Sequence, residues 1–129
     1  MTYVADTHAF LWWLAQDARL GQQATAAFEA AEEGRANIIV PTIVLAESVR
    51  VVEKKRLTLR FEDVLRRLET GWNYTAYPLD MAVVLQLPRL NKLRELHDRI
   101  IVATAKALGA TLITRDEAIR QSGYVTVVW

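Results

Sequence analysis

The chain has no cysteine. That excludes disulfides, thiolate metal sites and a cysteine nucleophile. Five glycines and three prolines in 129 residues leave little material for a flexible linker, and the length fits a single domain over residues 1–129. No apolar run reaches the length of a membrane span. The start, Met1-Thr2-Tyr3-Val4-Ala5-Asp6, lacks the basic residues and long apolar stretch of a secretory signal, so a cytoplasmic protein with no membrane partner is expected. The net charge of +1 rules out a global basic field for nucleic acid but leaves room for a local basic patch.

What is present is an alternation of short apolar strands and amphipathic helices. Strands are expected at Tyr3-Val4-Ala5, Asn37–Val40, Tyr74–Tyr77, Thr111–Thr114 and Tyr124–Trp129. Helices are expected at Thr7–Leu14, Gln22–Glu33, from Thr42 (as cap) into Glu53, at Phe61–Thr70, from Asp80 (as cap) to Leu87, through the polar stretch Arg89–Leu96, at Arg99–Leu108 opened by Asp98, and at Asp116–Gln121. Gly34, Gly71 and Gly109 stand where helices should stop. This alternation predicts an α/β fold with a parallel sheet covered on both faces. In such sheets ligands bind beyond the carboxyl ends of the strands.

Four acids attract notice on that frame. Asp6 and Asp116 lie just past strand ends, and Asp98 stands at the start of a helix. Glu47 sits mid-helix, with Ile43, Val44 and Val51 as its neighbours at helical spacing. A carboxylate among apolar side chains is costly unless something pairs with it. Capping would explain any one of the three aspartates alone. Glu47 caps nothing; its plain alternative is an exposed position or a weak pair with Arg50. Taken together, four carboxylates without evident cationic partners point to a hard divalent cation, which takes oxygen ligands and keeps several waters. Two such ions about 3.5–4 Å apart can hold the attacking and leaving oxygens of a phosphodiester. No cysteine, and no histidine pair at zinc spacing, competes for that role.

The stretches Val4-Ala5-Asp6-Thr7-His8-Ala9-Phe10-Leu11-Trp12-Trp13-Leu14, Leu45-Ala46-Glu47, Asp98-Arg99-Ile100-Ile101-Val102-Ala103-Thr104-Ala105 and Leu112-Ile113-Thr114-Arg115-Asp116 resemble the PIN-domain family, and within it the VapC toxins of type II toxin–antitoxin systems. The likeness runs over essentially the whole chain. It implies a three-layer α/β/α sandwich around a parallel sheet and a Mg²⁺- or Mn²⁺-dependent endoribonuclease. It also implies an RNA substrate, a cognate antitoxin and a homodimer. By matching motifs, Asp6, Glu47, Asp98 and Asp116 would bind the metal and carry catalysis, and the hydroxyls of Thr7 and Thr114 would steady them. One departure is that His97 directly precedes Asp98, without the Asp-Pro step that relatives often carry there; this bears on the placement of Asp98.

Residues 50–67 gather Arg50, Lys54, Lys55, Arg56, Arg60, Arg66 and Arg67 against Glu53, Glu62 and Asp63. Such a stretch either holds RNA phosphates or simply faces water. Arg50, Lys54, Lys55, Arg99 and Arg115 are the candidate RNA-binding residues, the last two through their position beside proposed acids. His8 and His97 flank acids too, yet a two-metal site needs no histidine base. Trp12 and Trp13 are adjacent and cannot share one helix face, so they pack against different elements or one serves an interface. Three alternatives remain at this point. A phosphatase of the haloacid-dehalogenase type needs a second aspartate two residues after the first, and position 8 is His8. A PIN-like module could bind RNA or protein without cutting. An RNA-processing nuclease would have no antitoxin.

Overall fold

The computed structural model describes residues 1–55 and 57–129. Its frame is a five-stranded parallel sheet in the order β3-β2-β1-β4-β5. The strands are β1 (Thr2–Ala5), β2 (Asn37–Pro41), β3 (Tyr74–Tyr77), β4 (Thr111–Ile113) and β5 (Val127–Val128). Helices α1 (Thr7–Leu14) and α2 (Gln22–Glu32) link β1 to β2, and α3 (Thr42–Glu53) and α4 (Phe61–Thr70) link β2 to β3. Then α5 (Met81–Gln86), a short 3-10 turn at Leu87–Arg89 and α6 (Leu96–Ala107) return the chain to β4, and α7 (Glu117–Ser122) leads to β5. Parallel crossovers are right-handed. The first two step one way across the sheet and the last two step the other way, so their helices cover opposite faces. The order reverses between β1 and β4, where a crevice opens beyond the strand ends.

The central strands are buried on both sides, which explains their continuous apolar character. Val4, Ala5, Ile38, Val40, Leu112 and Ile113 are fully enclosed. Phe10 and Phe28 fill the space above them from α1 and α2. Trp13 stacks on Phe28 at 5.1 Å and donates through Nε1 to the Tyr74 hydroxyl at 3.0 Å. Trp12 is only 2% exposed, so both members of the tryptophan pair are largely covered. The widely exposed tryptophan is Trp72, at 79%. Positive φ at Gly34 and Gly109 turns the chain out of α2 and α6, as expected of those glycines. No helix among the described residues is long and apolar enough to cross a membrane.

Four local expectations are corrected. Thr42 does not cap α3: it is the first helical residue after Pro41, and its hydroxyl accepts instead from the Leu79 N–H at 3.2 Å. Asp98 does not open α6, which begins at Leu96, so it lies in the first turn. The polar stretch 89–96 is not one helix: Arg89 ends the 3-10 turn, Leu96 begins α6, and residues 90–95 between them are non-helical. Its backbone makes isolated tight turns, with Leu90 N–H bonding to Leu87 O and Leu93 N–H to Leu90 O, while the Leu90 and Leu93 side chains plug the core. The last strand shrinks to Val127–Val128, because the three-residue β4 offers it only Leu112 and Ile113 as partners.

Candidate functional site

All four acids line one cavity of about 760 Å³ at the crevice between β1 and β4. Asp6 leaves β1 still tied to its neighbour, its N–H bonded to Ile113 O at 3.1 Å, and then caps α1 by accepting the Ala9 N–H at 2.9 Å. Asp116 repeats the device from β4, capping α7 through the Ile119 N–H at 2.9 Å. Capping and cavity lining are therefore one arrangement at both residues, since the cap fixes the carboxylate at the strand end. Glu47 reaches in from α3 and accepts the Thr7 hydroxyl at 2.7 Å. Its carboxylate is partly exposed at the cavity rather than enclosed by Ile43, Val44 and Val51. Asp98 enters from the first turn of α6.

The electrostatics are those of a site short of positive charge. Burial pushes the Asp6 carboxyl up to about 6; the Thr114 hydroxyl and the Ala9 N–H pull it back, and Asp116 and Asp98 raise it further. Burial also raises Asp98, opposed by His97 and reinforced by Asp116, Glu47 and Glu95. Among the described residues no lysine or arginine forms an ion pair with any of the four acids. Among the described residues the basic side chain within 4.0 Å of them is His97, whose Nε2 stands 3.4 Å from Asp98 Oδ1 and 3.7 Å from Glu47 Oε2. An all-oxygen, mutually repelling donor set suits a hard divalent cation. No three His, Asp or Glu side chains among the described residues are already gathered around one point.

The PIN domain model matches residues 3–123 of this sequence. The chain belongs to the PIN-domain family. Solved structures agree on the fold. VapBC2 from Rickettsia felis, bound to a DNA fragment from its promoter, superposes with a TM-score of 0.74 at 16% identity over 99% of this chain and 98% of that one. FitAcB from Neisseria gonorrhoeae gives 0.66 at 21% over 98% and 96%. Mycobacterium tuberculosis VapC20, a sarcin–ricin loop cleaving toxin, gives 0.65 at 10% over 95% and 96%. No curated protein matches the sequence.

In this PIN domain the two expected hydroxyls stand beside the acids. Thr7 is bonded to Glu47, and Thr114 is fully buried and accepts the Asp116 N–H at 3.1 Å. Were Glu47 to bind a metal ion for a nuclease reaction, Thr7→Val would be expected to lower that activity about 10–100-fold, the usual consequence of removing the partner that orients a metal ligand. Stability should change little, because valine fills the same space. Unchanged turnover in a kinetic comparison would show that Glu47 holds its orientation without the hydroxyl.

The candidate basic residues divide. Arg50 and Arg115 line the cavity. Arg99 does not: its Nε donates to Leu93 O at 2.7 Å and a second guanidinium nitrogen to Leu87 O at 3.4 Å, so it braces the turn before α6. Lys54 and Lys55 are exposed beyond the end of α3 and away from the cavity lining, and Arg56 lies outside the described residues. Both histidines line the cavity. Burial lowers the His8 imidazole; Arg115 and Arg19 lower it further and Glu47 opposes them. Sequence reasoning missed the surroundings of Trp12, whose ring lies under the guanidiniums of Arg19 and Arg115. The i, i+4 spacing of His8 and Trp12 places both on one helix face and was the available signal.

Proposed function

We propose that this PIN domain is a divalent-metal-dependent endoribonuclease acting in the cytoplasm as the toxin of a toxin–antitoxin pair. The observation that carries the reading is the convergence of Asp6, Glu47, Asp98 and Asp116 on one cavity with no lysine or arginine pairing them among the described residues. In this reading the four acids hold Mg²⁺ or Mn²⁺. When bound, the metal lowers the pKa of water and offsets phosphate charge, which suits in-line hydrolysis of an RNA phosphodiester. Thr7 and Thr114 keep Glu47 and the Asp116 turn in place. Arg50 and Arg115, on the cavity wall, meet the phosphates that the acids alone would repel. The VapC20 likeness supports RNA as substrate, and the VapBC and FitAcB likenesses support an antitoxin partner. Met81, Val84 and Leu85, exposed together on α5, support a protein-covered surface such as the expected homodimer.

The test is incubation of purified protein with a mixed cellular RNA pool in Mg²⁺ or Mn²⁺, and again with EDTA. Cleavage that needs metal is the expected result, and the fragment ends then identify the target. Intact RNA with every divalent ion, from folded protein free of antitoxin, overturns the nuclease reading and favours a module that binds without cutting.

A further inference from the structure

Arg115 is covalently next to Asp116 and lines the same cavity as five carboxylates, Glu95 being the fifth, yet among the described residues it forms no ion pair within 4.0 Å. Coulomb attraction alone would draw its guanidinium onto one of them. Instead its Cζ lies 4.6 Å from the centroid of the Trp12 ring. We infer that Trp12 is a positioning residue: it holds Arg115 off the acids, as an uncompensated cation ready for an RNA phosphate. This rests on the ribonuclease reading above.

The surroundings of the indole support the assignment. Trp12 is itself held firmly, with His8 at 5.3 Å and Trp129 edge-on at 5.9 Å. A second guanidinium, that of Arg19, lies 4.4 Å from the same ring. Its charge is already engaged, because Arg19 grips Asp17 through Nε at 3.0 Å and Nη2 at 2.8 Å. Two arginines thus share one indole, and among the described residues only Arg19 has a carboxylate partner. A stacked guanidinium has its face covered while its N–H edges stay free to fork onto phosphate oxygens. Lysine, a point charge on a flexible stem, would not be held in this way. An acidic cavity that receives a polyanion needs such a cation, and one neutralised by Asp6 or Asp116 would be of no use to substrate.

The experiment measures binding of a labelled single-stranded RNA oligonucleotide of mixed sequence, in Mg²⁺, over a salt series. All variants are made in an Asp6→Asn background so that the probe stays intact. Arg115→Gln is expected to weaken binding about fivefold or more, as a lost charge-assisted contact does, and to flatten the log–log salt slope by about 0.7. Trp12→Leu should weaken it about two- to fivefold, the range of one exposed cation–π contact, with Trp12→Phe, which keeps an aromatic face, close to the parent. In the Arg115→Gln background, Trp12→Leu should change nothing further. Losses that multiply, or a Trp12→Leu protein that binds like its parent, overturn the positioning role. Should Trp12→Leu fail to fold, Arg115→Lys replaces it: a loss of affinity at unchanged charge is expected, and full affinity overturns the role. Parent protein that binds no RNA at any salt overturns the ribonuclease reading, and this inference with it.

Discussion

Asp6→Asn is expected to abolish RNA cleavage while leaving the fold at least as stable as before. Asp6 stands at the switch point of the sheet, on the last residue before α1, with the other acids around it. Losing its charge should cost more than the roughly 10–100-fold that follows loss of a metal ligand's outer partner. Stability should not suffer, since asparagine caps a helix about as well as aspartate and can keep the Ala9 bond. In the absence of metal the buried charge is a liability. The Asp6 carboxyl is raised from 3.8 to about 6, so the folded state binds a proton more tightly than the unfolded state does. The penalty is present in full above pH 6 and fades as pH falls toward 4. Thermal melts in EDTA should therefore place the variant at or above the parent at pH 7, with the gap closing in acid. A variant that still cleaves RNA would remove Asp6 from the metal set. One that melts well below the parent would mean that the charge is needed for folding.

Mg²⁺ or Mn²⁺ at about a hundred times its Kd should stabilise the protein by about 2.7 kcal/mol, which for a chain of this size is a rise in Tm of about 10 °C. An ion held as proposed would bind only the folded arrangement, because Asp6, Glu47, Asp98 and Asp116 come from four well-separated parts of the chain. Protons compete for the same oxygens. Asp6 and Asp98 are both raised, so the stabilisation should weaken as pH falls through about 6 for Asp6. A melt series with and without metal, at neutral and at acid pH, checks both effects. Equal shifts in the parent and in Asp6→Asn would place the ion elsewhere.

Much of this could be read from residues alone, and the failures have physical reasons. Asp6 and Asp116 were findable because a parallel sheet opens its ligand crevice at the strand ends, and both stand there. Glu47 was findable because a mid-helix carboxylate among apolar neighbours needs an explanation. Arg99 misled because adjacency in a helix is not adjacency in space. Successive side chains point about 100° apart, and Arg99 turns to the carbonyls of Leu87 and Leu93 while Asp98 faces the cavity. The same carbonyl contacts stabilise the non-helical path of residues 90–95, which composition could not reveal. Thr42 had a cap's chemistry, but a tertiary contact with Leu79 took its hydroxyl. Arg115 and Trp12 meet through the juxtaposition of β4 and α1, which no local pattern encodes.

The strand order also governs when the cavity can exist during synthesis. β1 is made first but sits in the middle of the sheet, and its partner on one side is β4, residues 111–113. Until those residues leave the ribosome, one edge of β1 stays open and Asp6 has no Asp116 beside it. Such long-range parallel pairing is slow to form and leaves apolar surface exposed meanwhile. The candidate site is therefore incomplete until the fourth strand has paired with the first, however early Asp6 itself is made.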